Sequence, residues 1–245
     1  MELRDRVALI TGAARIGQTV AEELARRGCH IALTYRQSKQ RAEEASERVL
    51  GLGVRCMALR ADLSNPVEVR EAVAQVERSL GRLDILINMA SIYQETPIAS
   101  LDEARWQENI DANLGSAYLT SLSAAPAMKR QGSGRIVNFT DWSAVSRRPR
   151  YRHFLPYYTA KMGVIGLTEA LALELAPEIL VNAIAPGPIL APPDLTEKEV
   201  QEVIDATPLG RWGGSLEIAK AVVFLVETDF VTGESIRVDG GRHLY

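Results

Sequence analysis

The sequence contains few of the residues that build metal sites and disulfide frameworks. Only two of its 245 residues are cysteines, three are histidines, and 6% are aromatic. Cys29 and Cys56 do not have the spacing of metal ligands and cannot form a framework of several disulfides, so we expect both to be small buried apolar residues. The three histidines are scattered along the chain. We therefore expect no metal ion.

An excess of charge of one sign is also lacking, as is any long apolar segment. The 28 basic and 31 acidic residues give a net charge of −3, which offers no general attraction to nucleic acid or to an anionic membrane. No apolar segment reaches the roughly 18 to 20 residues that cross a bilayer, and residues 1–6 are too charged for a signal peptide. These features predict a cytoplasmic protein that acts on a small molecule or on another protein, with neither nucleic acid nor membrane as partner.

Short β-branched apolar segments alternate with longer amphipathic segments along the whole chain. The strands are predicted at 6–11, 30–35, 55–61, 84–88, 135–140, 180–185 and 235–239. The helices are predicted at 18–27, 39–50, 66–80, 102–130, 157–175 and 216–227. Several strands are continuously apolar, which is typical of parallel strands buried on both faces. The pattern predicts a single α/β domain over 1–245, a doubly wound, Rossmann-type parallel sheet of seven strands with helices on both faces.

A glycine-containing turn at 11–17 joins the first predicted strand to the first predicted helix. Glycines at such a turn allow backbone N–H groups to approach a pyrophosphate. The second predicted strand ends without the carboxylate that binds the ribose 2′-hydroxyl of NAD. Arg36 and Ser38 stand there instead and can bind the 2′-phosphate of NADP, and Arg15 can reach it from the turn. We therefore predict NADP(H) as the cofactor.

Tyr157 and Lys161 lie four residues apart at the start of a predicted helix, so they share one helix face. A neighbouring ammonium group stabilises a phenolate and lowers a tyrosine pKa that is ordinarily near 10. Such a tyrosine can transfer a proton to a substrate at neutral pH. The pair is therefore a candidate for catalysis.

These motifs follow one another as they do in the short-chain dehydrogenase/reductase family, which the chain resembles over essentially its whole length. The motifs that carry the resemblance are the turn at 11–17, Asp62-Leu63, Asn88-Met89-Ala90-Ser91, Asn113, Tyr157 with Lys161, Pro186-Gly187 and Val238-Asp239-Gly240-Gly241. The resemblance implies that Tyr157 donates the proton and that Lys161 lowers its pKa and holds the nicotinamide ribose. Asn113 would anchor a water of the proton relay.

The resemblance also implies the residues that contact the cofactor. They are Gly12, Arg15, Ile16, Gly17, Tyr35, Arg36, Ser38, Asp62, Leu63, Asn88, Ala90, Thr140, Tyr157, Lys161, Pro186, Gly187 and Ile189. A lid that closes over the substrate is expected at about 188–210. The family commonly forms homotetramers, so we expect one here.

One departure from the family pattern concerns the substrate. Asp141 stands where the family usually has the serine that orients a substrate carbonyl. A carboxylate is a poor partner for a ketone oxygen and a good partner for a ring N–H or amino group. The substitution resembles the pteridine reductase branch, in which an aspartate and the tyrosine act on a pterin. Ser91 and Tyr93 agree with that branch, and the end of the turn at 15–17 also resembles it, although the turn is shorter than usual.

We therefore expect Ser91, Tyr93, Asp141 and Tyr157 to contact the substrate, and Asp141, Tyr157, Lys161 and Asn113 to be catalytic. Two residue roles stay open. Ser143 or Ser146 could supply the usual hydroxyl while Asp141 caps a helix, because an inserted segment separates Asp141 from Tyr157. Tyr93 could instead pack against the following helix.

The functional prediction is an NADPH-dependent reductase of a dihydropterin-like or folate-like heterocycle. A reductase of 3-oxoacyl thioesters or other ketones is an alternative, with Ser143 orienting the carbonyl. A second alternative is a non-catalytic NADP-binding sensor, because fold alone does not confer activity. The inserted segment includes a basic loop at 147–153, which could attract an anionic substrate tail or an acidic carrier protein, or could simply be solvated or form a subunit contact.

Overall fold

Seven parallel strands form a sheet in the computed structural model, which describes residues 1–12 and 14–244. The strands are β1 (Val7–Thr11), β2 (His30–Tyr35), β3 (Cys56–Arg60), β4 (Ile85–Asn88), β5 (Gly134–Phe139), β6 (Ile179–Pro186) and β7 (Ser235–Val238). Their order is β3-β2-β1-β4-β5-β6-β7, so the winding reverses between β1 and β4. This arrangement confirms the predicted doubly wound sheet. Ala13 of the predicted glycine turn and Tyr245 lie outside the described residues.

Helices cover both faces of the sheet. They are α1 (Ile16–Ala25), α2 (Lys39–Leu50), α3 (Pro66–Leu80), α4 (Glu103–Ile110), α5 (Ser116–Arg130), α6 (Trp142–Val145), α7 (Leu155–Leu175), α8 (Glu197–Asp205) and α9 (Ser215–Glu227). Alternate residues of β1 enter two different apolar clusters: Ala8 and Ile10 pack with α1 and α9, whereas Val7 and Leu9 pack with α3 and α5. The strand is therefore buried on both sides, as its continuous apolar sequence predicts.

The predicted helix at 102–130 is interrupted, which the sequence pattern did not indicate. A π-helical turn, Asp111–Gly115, separates α4 from α5. Within it, the side-chain amide of Asn113 donates to the carbonyls of Asn109 and Ile92, at 3.0 and 3.2 Å. Single π-helical turns inside helices are frequent at functional sites because they redirect a side chain. Here the turn directs Asn113 toward the segment that follows β4.

Several other helix boundaries also differ from the predictions. Helix α7 begins at Leu155, two residues earlier than predicted, with Pro156 in its first turn. Proline is favoured there because the first N–H groups of a helix have no partner within it. The predicted lid segment contains α8, whose start has a capping box between Thr196 and Glu199.

Three further expectations from the sequence concern the cysteines, a metal ion and a membrane, and each can be compared with the described part of the structure. Cys29 is buried and Cys56 is partly exposed, so the expectation of a buried apolar residue fits Cys29 better. Within 1–12 and 14–244, no group of three or more histidine, cysteine, aspartate or glutamate side chains is arranged to hold a metal ion. None of the described helices is long and apolar enough to cross a membrane.

Candidate active site

The side chains of Asp141 and Tyr157 meet at the carboxyl edge of the sheet. Asp141 follows β5 and caps α6, and Tyr157 lies in the first turns of α7. The Tyr157 hydroxyl donates to Oδ2 of Asp141 at 3.2 Å. The other carboxylate oxygen, Oδ1, accepts from the backbone N–H of Ser143 at 2.8 Å and from its hydroxyl. Asp141 thus caps the helix and contacts the tyrosine at the same time, whereas the Ser143 hydroxyl is buried and bound to Asp141.

Lys161 is buried beneath Tyr157. Its Nζ donates to the carbonyl of Phe139 at 2.9 Å and lies 5.6 Å from the centre of the Tyr157 ring. The hydroxyl of Thr140 donates to the backbone carbonyl of Lys161 at 2.7 Å. These two bonds attach the face of α7 that carries the tyrosine and lysine to the end of β5.

The pKa of Tyr157 differs from the sequence expectation. Burial raises it well above 10, and the charge of Asp141 and its hydrogen bond to the hydroxyl raise it further. Burial lowers the pKa of Lys161 to about 8, although Asp141 opposes that change. No lowering by Lys161 offsets these effects in this structure, where Nζ lies over the ring and donates to the Phe139 carbonyl. Tyr157 therefore stays protonated at neutral pH, which is the state that a proton donor needs.

Asn113 and Ser91 are joined to each other across the site. The Ser91 hydroxyl donates to Oδ1 of Asn113, whose amide donates to the carbonyl of Ile92. Asn113 is buried. In this structure the Ser91 hydroxyl therefore fixes the segment after β4 and does not point freely toward a substrate.

Tyr93 contacts the ring of Tyr157 directly. Its ring packs edge-on against Tyr157, with centroids 4.8 Å apart at 77°, and stacks on Phe154 at 4.3 Å and 14°. The Tyr93 side chain remains 54% exposed. Tyr93 therefore packs on the site and not on the following helix. Sequence reasoning missed Phe154; the signal that could have found it is an aromatic residue in the inserted segment just before Tyr157.

A cleft of about 450 Å³ runs from the end of β1 over the ends of β2, β3 and β4. The predicted cofactor residues that line it are Gly12, Tyr35, Arg36, Ser38, Asp62, Leu63 and Ala90, and Ser91 lines it as well. Met89, within the motif at 88–91, also lines it, whereas sequence reasoning missed other lining residues, among them Ile92, Glu108 and Asp111. Asp62 contributes a negative charge to the cleft, and hydrogen bonds from the hydroxyl and backbone N–H of Ser64 lower its pKa.

The glycine turn lets the backbone come close to this cleft. Gly12 has φ +84°, and a Cβ there would lie 3.4 Å from the backbone nitrogen of Ala90. A Cβ on Gly17 would lie 2.1 Å from the Gly12 carbonyl oxygen, so only glycine fits at 17. Arg15 is exposed, and Nη2 donates to the carbonyl of Ala191 at 3.4 Å, which joins the turn to the predicted lid.

Ten of the predicted cofactor residues lie outside the lining of the cleft: Arg15, Ile16, Gly17, Asn88, Thr140, Tyr157, Lys161, Pro186, Gly187 and Ile189. The Asn88 amide donates to Oδ1 of Asn138 at 2.9 Å and to the Ser121 hydroxyl at 3.1 Å, and so it is part of a buried polar cluster. Gly187 packs against Asp239, where a Cβ would approach to 2.4 Å. Ile189 is buried and lines a second cavity of about 460 Å³.

Comparisons with known proteins identify the family of the chain. A family model described as enoyl-(acyl carrier protein) reductase matches residues 12–243. The 3-oxoacyl-[acyl-carrier-protein] reductase of Staphylococcus aureus (strain Mu50) is 35% identical over 243 residues, which are 97% of this chain and 98% of that protein. The chain belongs to the short-chain dehydrogenase/reductase family.

Solved structures of the family superpose on nearly the whole chain. A short-chain dehydrogenase/reductase from Serratia marcescens BCRC 10948 has a TM-score of 0.91 at 30% identity, over 99% of this chain and 100% of that one. The NADPH-dependent 3-quinuclidinone reductase from Rhodotorula rubra has a TM-score of 0.91 at 28% identity, over 100% of this chain and 93% of that one. Members of the family are oxidoreductases that bind NAD or NADP and act on small molecules, and this chain is one of them.

Proposed function

We propose that the protein is an NADPH-dependent reductase of a dihydropterin-like or folate-like heterocycle, similar to pteridine reductases. The observation that carries this proposal is the hydrogen bond between the Tyr157 hydroxyl and the Asp141 carboxylate, at 3.2 Å. A carboxylate accepts hydrogen bonds from ring N–H and amino groups, and it repels a ketone oxygen. The pair therefore suits a nitrogen heterocycle better than a carbonyl substrate.

Each residue then has a role in reduction of a C=N bond. Asp141 accepts N–H donors of the heterocycle and fixes its orientation, while Tyr157, protonated at neutral pH, supplies the proton. A bound nicotinamide supplies the hydride. Tyr93 and Phe154 offer a stacked aromatic wall beside Tyr157, and such a wall favours a flat ring. Lys161, Asn113 and Ser91 hold these groups and the neighbouring backbone in place.

The cleft fits NADP(H) in its chemistry. Arg36 and Ser38 line it at the end of β2, and among the described residues no carboxylate lies within ion-pair distance of Arg36. The guanidinium is thus available to a 2′-phosphate. The close approach of Gly12 to Ala90 provides backbone where a pyrophosphate would lie.

Three further features belong to this proposal. Residues 188–210, with α8, are proposed as the substrate lid within a single domain. The active form is proposed to be a homotetramer, as is common in the family. The cellular location is proposed to be the cytoplasm.

A carbonyl reductase is the second candidate, and the Staphylococcus aureus relative favours it, since that protein is named for a 3-oxoacyl substrate. In this alternative Ser143 orients the carbonyl. The contacts of Ser143 speak against it, because its hydroxyl is buried and donates to Asp141. The Ser143 hydroxyl would have to break its hydrogen bond to Asp141 before it could donate to a substrate carbonyl.

Turnover assays with NADPH separate these candidates. We expect reduction of at least one of dihydrobiopterin, dihydromonapterin and dihydrofolate, with slower reduction of acetoacetyl thioesters and simple ketones. Rapid ketone reduction without pterin turnover would favour the carbonyl reductase. NADPH binding without turnover of any of these compounds would favour the non-catalytic sensor.

A further inference from the structure

Four arginines occupy one short loop between α6 and α7, at the edge of the candidate site. They are Arg147, Arg148, Arg150 and Arg152, and all four are exposed. The loop is held at both ends. The guanidinium carbon of Arg150 lies 5.7 Å from the centre of the Trp142 ring, next to Asp141, and the backbone N–H of Thr96 donates to the carbonyl of His153 at 2.6 Å.

The charge of this arginine loop, residues 147–152, is not neutralised within the described chain. No carboxylate of 1–12 or 14–244 lies within 4.0 Å of any of the four guanidinium groups, whereas arginines such as Arg26, Arg78 and Arg130 have such partners. Two acidic groups act on Tyr93 beside the loop: Asp141, which binds Ser143 and Tyr157, and Glu95, which has no ion-pair partner among the described residues. The loop therefore presents a concentrated positive charge to solvent beside the site.

A path of aromatic rings connects the catalytic tyrosine to this loop. From Tyr157 the edge contact to Tyr93 measures 4.8 Å, the stack of Tyr93 on Phe154 measures 4.3 Å, and Phe154 lies 6.4 Å from Tyr151. Tyr151 is 50% exposed and stands between Arg150 and Arg152 in sequence. A flat substrate at Tyr157 that continued along these rings would end among the arginines.

We propose that the arginine loop is a subsite for the acidic tail of the substrate, namely an aryl group that carries carboxylates. This inference rests on the proposed function and specifies which heterocycles the site prefers, those with such a tail. The aromatic path packs against the aryl group and the guanidinium groups bind the carboxylates. A folded acidic carrier protein fits the surface less well, because a stable protein interface needs about 800 Å² on each partner and the four arginines lie within one short loop.

The test compares two substrates that differ in the tail. Dihydrobiopterin has no acidic tail, and dihydrofolate ends in an aryl group with a glutamate. The variant Arg148→Ala/Arg152→Ala removes two charges but keeps Arg150 on Trp142. Its matched control is Arg48→Ala/Arg70→Ala, which removes two exposed arginines without ion-pair partners among the described residues, on α2 and α3.

We expect the loop variant to raise the KM for dihydrofolate about fivefold or more. Each exposed ion pair changes an affinity by up to about fivefold, and the variant removes two such pairs. Its kcat and its KM for dihydrobiopterin should stay within about twofold of wild type, as should all values of the control. Arg148→Lys/Arg152→Lys should restore most of the affinity. The effect should shrink between about 20 and 300 mM NaCl because salt screens exposed charges.

Three results would overturn the inference, and each is distinct from failure of the proposed function. One is an unchanged KM for dihydrofolate in the loop variant, and another is an equal rise for both substrates. The third is a rise confined to a 3-oxoacyl carrier-protein thioester, which would assign the loop to protein docking. If wild type reduces dihydrobiopterin but shows one of these results, the subsite alone is wrong. If wild type reduces neither pterin, the proposed function is wrong.

Discussion

The hydroxyl of Tyr157 donates to the carboxylate of Asp141 across 3.2 Å. This one carboxylate acts on two titrating groups, because it raises the pKa of Tyr157 and also opposes the lowering of the pKa of Lys161 by burial. It thus favours the protonated form of the donor and the charged form of the lysine. The two effects can be separated experimentally.

Replacing Asp141 with asparagine should move the alkaline limb of the activity profile to lower pH. In wild type Lys161 loses its charge as the pH rises through about 8, while Tyr157 is still protonated. Without the carboxylate both pKa values fall, so the limb begins below 8. The measurement is kcat against pH for wild type and Asp141→Asn. Glu174→Gln, an exposed change near the end of α7, serves as the control, and a limb that moves to higher pH would contradict the assignment.

Arg36 should decide between NADPH and NADH. Arg36→Asp replaces the expected partner of the 2′-phosphate with a carboxylate, which repels that phosphate and can bind a ribose 2′-hydroxyl. We expect the Kd for NADPH to rise about tenfold or more and the Kd for NADH to stay equal or fall. Both are measured by nicotinamide fluorescence. The control is Arg48→Asp, at the exposed end of α2, and an equal loss for both cofactors would exclude a phosphate contact.

Tyr93 should contribute to binding through its ring. Tyr93→Ala removes the edge contact to Tyr157 and the stack on Phe154, so the KM for dihydrobiopterin should rise about fivefold, as expected from the energy of an aromatic pair. Tyr93→Phe keeps the ring and should stay within about twofold of wild type. If the phenylalanine variant were as impaired as the alanine variant, the hydroxyl and not stacking would be the important group.

Gly17 should tolerate no side chain. A Cβ at this position would lie 2.1 Å from the Gly12 carbonyl oxygen, and backbone must move to relieve the clash. We expect Gly17→Ala to lower the free energy of unfolding by about 1–3 kcal/mol and to weaken NADPH binding. Gly166→Ala is the matched control. Gly166 is an exposed position of α7 where a Cβ would meet nothing within 4 Å, and alanine favours a helix more than glycine does. Equal melting temperatures of the two variants would contradict the geometry of the turn.

Local sequence signals predicted much of the fold because hydrophobic periodicity and glycine turns are encoded in neighbouring residues. The positions of the seven strands along the chain and the placement of Tyr157 and Lys161 on one helix follow from such signals. The π-helical turn at Asp111–Gly115 does not, because it depends on bonds from Asn113 to a carbonyl outside its helix, that of Ile92.

Pairwise contacts between distant segments limited the prediction of the site. The pKa of Tyr157 depends on burial and on how Lys161 and Asp141 sit around it, which the spacing of four residues does not define. Likewise, the family resemblance predicted that Thr140 contacts the cofactor, and only the structure shows that its hydroxyl donates to the carbonyl of Lys161. Such contacts arise only when β5, α6 and α7 are assembled.

The most direct test of the proposed function is the ratio of kcat/KM for dihydrobiopterin to that for an acetoacetyl thioester, measured with NADPH in wild type and in Asp141→Ser. Serine can still cap α6, so the helix should be retained. We predict a ratio well above one in wild type and a fall of up to about 100-fold in the variant, because hydrogen bonds from the heterocycle to a charged carboxylate contribute about 1.5–3 kcal/mol. A wild-type ratio below one that the substitution leaves unchanged would contradict the account.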